Sequence, residues 1–228
     1  DLVIEENNRR GPDQKKLYVM YDQMYWHLTY GSIQHYDPVS LRPAMREYTV
    51  YIDAISKVFA ATGVRVGWSM GPATIISKMK AILTHIGAWA PMAEQKAVAQ
   101  FLGKRDAITN FLSHFKKEIE ERLHGIYAGF KALQSEGFEV EAIAPEAAIY
   151  LTIRMSLVGK KSADGTVLKD QAAVTAYMLD KAGLAVVPFY AFGAPASSPW
   201  YRLSVGTCKK EEIGEMTSKL REALQQLS

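Results

Sequence analysis

The sequence predicts an α/β protein: part of a domain with a mostly parallel sheet and flanking helices, joined by a long helix to a small α+β domain. Strand-like apolar runs alternate with helical patterns before residue 106, and an apolar stripe of helical period then continues for several turns. The last part of the chain mixes shorter strands and helices. We therefore divide the chain into residues 1–105, a connecting helix at 106–135 and a small domain at 136–228.

The first region begins with a helix that is followed by three strands. Residues 2–8 have an amphipathic pattern, and Gly11 and Pro12 end it. Apolar or β-branched runs then predict strands at residues 17–22, 48–52 and 64–70. The first of these runs is apolar almost throughout, as is typical of a strand covered on both faces. We expect an irregular loop around Asp37-Pro38 and Arg42-Pro43, between the first and second strands.

Helices dominate the middle of the chain. Apolar residues recur with helical period from Ala73 and again after Pro91. The longest helix is predicted at residues 106–134, where one face carries Ile108, Phe111, Leu112, Phe115, Ile119, Leu123, Ile126, Phe130 and Leu133. Charged residues fall between these positions, so we expect one buried face and one exposed face.

The small domain is predicted from shorter patterns. Strands are expected at residues 148–155, 184–187 and 200–205, and helices at 170–182 and 211–227. A polar turn at 160–165 separates the first strand from the first of these helices.

Composition excludes several classes of protein. The formal net charge is +3, from 27 basic and 24 acidic residues, which indicates no nucleic-acid surface. The apolar runs are too short to span a membrane, and the five histidines lack metal-ligand spacing. Cys208 is the only cysteine, so no intramolecular disulfide can form, and a reducing cytoplasm is favoured. The chain starts at Asp1 inside a helical pattern, so we expect the C-terminal portion of a longer protein.

One set of polar residues has a specific order and spacing. Asp22 ends the first predicted strand and Tyr25 follows it, Ser56-Lys57 comes after the second strand, and Arg65 completes a Thr-Gly-x-Arg segment. This set resembles the pyridoxal-phosphate (PLP) enzymes of the aspartate aminotransferase superfamily, class I/II and fold type I. The resemblance covers nearly the whole chain. It implies the cofactor pyridoxal 5'-phosphate, a homodimer, and transamination between an amino acid and a 2-oxo acid.

Lys57 matches the lysine whose amine forms a Schiff base with the cofactor aldehyde. Only a neutral amine attacks a carbonyl, and the apolar neighbours Ile55, Val58 and Phe59 favour the neutral form. A solvated surface lysine is the alternative, and it is the usual state of a lysine. The flanking motif favours the catalytic role.

Asp22 and Tyr25 match the family residues that contact the cofactor ring. The carboxylate keeps the pyridine nitrogen protonated, and the tyrosine donates a hydrogen bond to the ring oxygen. The alternatives are an Asp22 that forms a turn after the strand and a Tyr25 that is simply packed. The correctly spaced Lys57 favours the cofactor role for Asp22.

Phosphate and carboxylate contacts complete the resemblance. Arg65 and Ser56 match phosphate ligands, although Ala54 stands where the family usually has another serine. Arg202, in the segment Trp200 to Val205, matches the arginine that binds the substrate α-carboxylate. An arginine that faces water on an edge strand is the alternative there.

Other functions on the same scaffold stay open. A PLP-dependent lyase is one, a non-catalytic sensor domain of a transcription regulator is a second, and an inert fragment is a third. The family also has cofactor contacts in its N-terminal half, which we do not find in this chain, so we expect the chain alone to lack activity. The donor amino acid is open too, because no arginine for a distal carboxylate stands near Trp89 to Pro91.

Overall fold

The computed structural model describes all residues from Asp1 to Ser228. The chain divides into two compact units, Asp1–His114 and Phe115–Ser228. The fold contains both sheets and helices, as the α/β prediction requires. The long helix Arg105–Ser135 crosses the boundary between the units, so the three-part division at residues 105 and 135 stays a prediction.

The first unit contains a three-stranded sheet in the order β1-β2-β3. Its strands are β1 (Val19–Asp22), β2 (Thr49–Ala54) and β3 (Gly67–Met70). β1 and β2 are parallel, whereas β2 and β3 are antiparallel. The α/β class predicted from the sequence is confirmed, and the three strands of this chain form one parallel and one antiparallel pair. β2 and β3 are joined without a long crossover helix, which antiparallel neighbours allow.

Strand β1 is not covered on both faces, contrary to the prediction. It lies at an edge of the sheet, and its residues alternate between partly buried and exposed. Met20 keeps 76% of its surface exposed. An apolar sequence shows that a strand can be buried, but its burial depends on a neighbouring element that covers it.

Five helices lie before, between and after these strands along the chain. They are α1 (Leu2–Arg9), α2 (Pro38–Leu41), α3 (Ile55–Val58), α4 (Ala73–Ile86) and α5 (Met92–Leu102). The irregular loop predicted around Pro38 is wrong, because this segment forms α2, and a 3₁₀ helix follows at Pro43–Glu47. The Asp37 carboxylate accepts hydrogen bonds from the backbone N–H groups of Val39 and Ser40, and Pro38 occupies the first turn.

The second unit contains most of α6 (Arg105–Ser135) and a four-stranded antiparallel sheet. The sheet order is β4-β5-β7-β6, with β4 at Val140–Ala142, β5 at Tyr150–Met155, β6 at Val187–Pro188 and β7 at Trp200–Ser204. Helices α7 (Gln171–Ala182) and α8 (Ile213–Gln225) complete the unit. The sequence did not predict β4, which is only three residues long.

The apolar stripe of α6 forms much of the core of the second unit. Leu123, Ile126, Phe130 and Leu133 are fully buried, as the helical period predicts. α6 and α8 approach closely at Gly129, where an added Cβ would lie 2.6 Å from the Thr217 hydroxyl oxygen. A larger residue at this position would push the two helices apart.

Candidate functional site

Two of the predicted segments lie at the same end of the first sheet. In the parallel pair β1·β2, Asp22 is paired with Ile52, and the Gln23 N–H donates to the Ile52 carbonyl at 3.0 Å. β2 continues directly into α3, which carries Ser56 and Lys57. The carboxyl ends of neighbouring parallel strands are the usual ligand sites of α/β sheets. The backbone therefore brings the segment of Asp22 and Tyr25 beside the segment of Ser56 and Lys57.

Lys57 has an amine without a partner. Its side chain is half-buried, and its Nζ makes no hydrogen bond or ion pair with the rest of the chain. Its neighbours in α3, Ile55 and Val58, are buried and fix this helical turn to the core. A surface lysine has a mobile chain and a fully hydrated amine, whereas Lys57 is held at its base.

Asp22 is exposed, and Tyr25 is half-buried. The Asp22 Oδ1 accepts a hydrogen bond of 3.2 Å from the Met24 N–H, so the turn-forming role that is the alternative for this residue is present. The turn leaves the other carboxylate oxygen without a hydrogen-bond partner in this chain. The same turn also presents Tyr25 at the end of β1.

Ser56 and Arg65 line one pocket of about 500 Å³ in the first unit. The Arg65 backbone is left-handed, at a φ of +59°, a conformation that costs free energy in a residue other than glycine. Its Nη1 donates to the Thr62 carbonyl at 2.7 Å, which orients the guanidinium and leaves other N–H groups for an anion. Lys57, Asp22 and Tyr25 do not line this pocket.

A close approach of β2 and β3 shapes the same pocket. A Cβ at Gly67 would lie 2.9 Å from the Asp53 carbonyl oxygen and 3.1 Å from the Ala54 Cβ. Only glycine fits there without a shift of either strand. Ala54 fills the position where the family usually has a serine, so its methyl group offers this pocket no hydrogen bond.

Sequence reasoning missed a buried carboxylate beside these residues. Asp53 precedes Ala54 on β2, and its Oδ2 accepts hydrogen bonds from Gln23 Nε2 at 3.2 Å and Trp26 Nε1 at 3.1 Å. Its Oδ1 accepts from the Ala54 N–H at 2.8 Å. An acidic residue inside an otherwise apolar strand was the available signal.

The second unit places Arg202 between two aromatic rings. The Arg202 Cζ lies 4.5 Å from the ring centroid of Tyr150 and 4.5 Å from that of Phe192. β7 is an interior strand, so the alternative of an arginine on an edge strand is wrong. The guanidinium makes no ion pair with any carboxylate of the chain. Two rings hold it while its N–H donors stay available, and such an arrangement suits a carboxylate ligand.

The chain belongs to the family described as Aminotransferase class I and II, whose sequence profile matches residues 12–220. The aspartate aminotransferase of Rhizobium meliloti (strain 1021) is 28% identical over 93% of this chain and 49% of its own length. That of Geobacillus stearothermophilus is 30% identical over 83% of this chain and 44% of its own length. A crystal structure of the Rhizobium meliloti enzyme matches with a TM-score of 0.80 and 26% identity, over 93% of this chain and 51% of that one.

The chain spans about half the length of the curated relatives it matches. Enzymes of this family depend on PLP. The residues described here fit that group in their chemistry: one amine without a partner, one guanidinium and one hydroxyl beside a pocket, and one exposed carboxylate. No helix has the length and apolarity of a membrane span, and no cluster of three His, Cys, Asp or Glu side chains could hold a metal ion.

Proposed function

We propose that the protein to which this chain belongs catalyses PLP-dependent transamination between an amino acid and a 2-oxo acid. The observation that carries the proposal is the half-buried Lys57, whose amine has no partner, in the helical turn that follows β2, the strand whose Ile52 is paired with Asp22. Family membership supports the same reaction class. Aspartate and 2-oxoglutarate are the first pair of substrates to test, because the matched relatives are aspartate aminotransferases.

Each residue has a role that follows from its chemistry. The bound cofactor would supply an electron-withdrawing ring that weakens the bonds at the substrate Cα. Ser56 and Arg65 would bind its phosphate, and Asp22 and Tyr25 would hold its ring. Lys57 would bind the cofactor between turnovers and, once displaced by substrate, would accept the Cα proton on its free amine and pass it to the cofactor.

Arg202 is proposed to bind the substrate α-carboxylate. A guanidinium can donate two parallel hydrogen bonds to one carboxylate, and the rings of Tyr150 and Phe192 restrict its rotation. Because less conformational freedom is lost on binding, the preorganised arginine should bind more tightly than a lysine at the same position.

We also propose a homodimer that functions in the cytoplasm. Large apolar side chains of the first unit are exposed, among them Ile82, Ile86, Trp89 and Met92. Apolar surfaces of this kind are typical of protein interfaces. The presence of a single cysteine supports a reducing compartment.

The test is an assay of the natural full-length protein with aspartate and 2-oxoglutarate. Lys57→Ala should lower kcat at least about a hundredfold, because a positioned general base contributes about 10²–10⁴-fold. Lys78→Ala is the matched control, since Lys78 is an exposed lysine of α4, and it should leave kcat unchanged. Release of free ammonia in place of a new amino acid would support a lyase and contradict transamination.

A further inference from the structure

We infer that Asp53 is a positioning residue that holds the segment Asp22–Trp26 against the strand that leads to Lys57. The inference rests on the proposed function, since this segment carries the two residues assigned to the cofactor ring. Asp53 itself is not assigned to the cofactor. Only 5% of its surface is exposed, so it would influence cofactor binding through the residues that it contacts.

The residues that donate hydrogen bonds to Asp53 are sequence neighbours of the two residues assigned to the cofactor ring. Gln23 and Trp26 donate to the Asp53 Oδ2, at 3.2 Å and 3.1 Å. Asp22 and Tyr25 are the residues that immediately precede them. One carboxylate oxygen therefore fixes two points of the turn, and the residues assigned to the cofactor lie next to those fixed points.

Asp53 is also held rigidly at its own end. It is paired with Trp68 in the β2·β3 ladder, and its carbonyl oxygen lies close to Gly67. Its Oδ1 accepts from the Ala54 N–H at 2.8 Å, at the residue where β2 ends and α3 begins. The carboxylate thus links the turn after β1 to the start of the helical turn that presents Ser56 and Lys57.

The charge of Asp53 makes this link strong. No lysine, arginine or histidine forms an ion pair with it, and its known partners are neutral N–H donors. A buried carboxylate without a cation depends on those donors, so moving the turn away would leave the charge unsatisfied. A hydrogen bond to a charged group corresponds to about ten- to a hundredfold in an equilibrium constant.

A purely structural role would predict something different. If Asp53 only stabilised the fold, Asp53→Ala would weaken cofactor binding no more than another substitution that lowers the free energy of unfolding by the same amount. If it positions the turn, its removal should displace Trp26 and weaken cofactor binding beyond that control. Val98→Ala provides the control, because Val98 is a core residue of the same unit without a proposed role.

The experiment uses the natural full-length protein with Asp53→Ala, Asp53→Asn, Trp26→Phe and the double variant Asp53→Ala/Trp26→Phe. Two quantities are measured: the Trp26 indole N–H resonance in the cofactor-free protein, assigned by its loss in Trp26→Phe, and the dissociation constant of PLP. Urea denaturation of each variant and of Val98→Ala gives the stability for comparison.

In Asp53→Ala the Trp26 indole resonance should move, and the PLP dissociation constant should rise about ten- to a hundredfold. Asp53→Asn keeps an oxygen acceptor for the two side chains, so it should restore most of the affinity. The double variant should bind no more weakly than Asp53→Ala. If Asp53→Ala does not fold, Asp53→Asn and Trp26→Phe still decide the matter, with a smaller loss expected in each.

An unmoved indole resonance with unchanged PLP affinity in Asp53→Ala would overturn the inference. So would an equal loss of affinity in Val98→Ala at equal stability. If the unmodified protein binds no PLP, the proposed function fails. The indole resonance then still shows whether Asp53 holds the turn, so the two failures are distinguishable.

Discussion

The two units use the same apolar periodicity with opposite results. In the second unit the residues of the α6 stripe from Ile119 onward are buried, including Leu123 and Phe130. In the first unit α4 has a comparable row of apolar residues, yet none of its side chains is buried, and Ile82 is 59% exposed. A helical period therefore predicts the helix and its apolar face, whereas burial depends on what lies against that face.

The candidate site residues also differ in burial between the two units. Arg202 lies on an interior strand of the well-buried second unit and is held between two rings. The residues assigned to the cofactor lie in the first unit, at strand ends and turns with partly exposed side chains. We expect the largest losses of stability from core variants of the second unit, and the largest losses of cofactor affinity from variants of the first.

The largest expected effect is the loss of a core side chain in the second unit. Leu123→Ala should lower the free energy of unfolding by about 2–5 kcal/mol, because the surrounding core cannot fill the cavity. Ile82→Ala, on the exposed face of α4, should change it by less than about 0.5 kcal/mol. Urea denaturation followed by circular dichroism measures both. Equal effects would contradict the contrast between the units.

A smaller effect is expected where α6 and α8 meet. Gly129→Ala places a Cβ 2.6 Å from the Thr217 hydroxyl oxygen, and overpacking of this kind costs about 1–3 kcal/mol. Gly214→Ala, on α8, is the control, because nothing lies within 4 Å of its added Cβ. That variant should gain about 0.5–1 kcal/mol from the lower entropy of its unfolded chain. Thermal unfolding should therefore shift in opposite directions for the two variants.

The smallest effect concerns the pH dependence of the first unit. The Tyr51 hydroxyl donates a hydrogen bond to the Asp37 carboxylate, which lowers the pKa of Asp37 from 3.8 to about 2. Burial and this carboxylate raise the pKa of Tyr51 from 10.0 to about 12. The stabilisation is therefore fully present between these unfolded values of 3.8 and 10.0. It is lost as the pH falls toward 2 or rises toward 12.

Tyr51→Phe removes this hydrogen bond and provides the measurement. The difference in unfolding free energy between the variant and the unmodified protein should be constant near neutral pH and shrink toward both extremes. Tyr36→Phe is the control, since its exposed hydroxyl bonds only to the neutral Gln34 amide oxygen. A difference for Tyr51→Phe that is unchanged at pH 2 would contradict the assignment.

Local patterns predicted the regular elements of the fold well. The stripe of α6 spans many turns, so its period could not be mistaken, and the Asp22 and Lys57 segments follow strands that their apolar runs predict. The Asp37-Pro38 pair is typical of a loop and also of a helix start, and the helix that it begins is only four residues long. Too few residues remain in such an element for a period to show.

Contacts between distant residues could not be predicted from the sequence. Phe192 stacks on Arg202 from a 3₁₀ turn, and Tyr150 does so from the neighbouring strand, so only the register of the sheet brings the three together. Asp53 likewise meets Gln23 and Trp26 across the β1·β2 pair. The parallel or antiparallel direction of β3 was equally undetermined, because apolar runs do not encode strand direction.

The most direct test of the central claim is to locate covalent label from PLP on the natural full-length protein. After incubation with PLP and reduction with borohydride, peptide mapping should find the label on Lys57. Lys80, which lines the pocket that also contains Ser56 and Arg65, should carry little or no label. Label that is spread over surface lysines, or concentrated on Lys80 with Lys57 unmodified, would contradict the account.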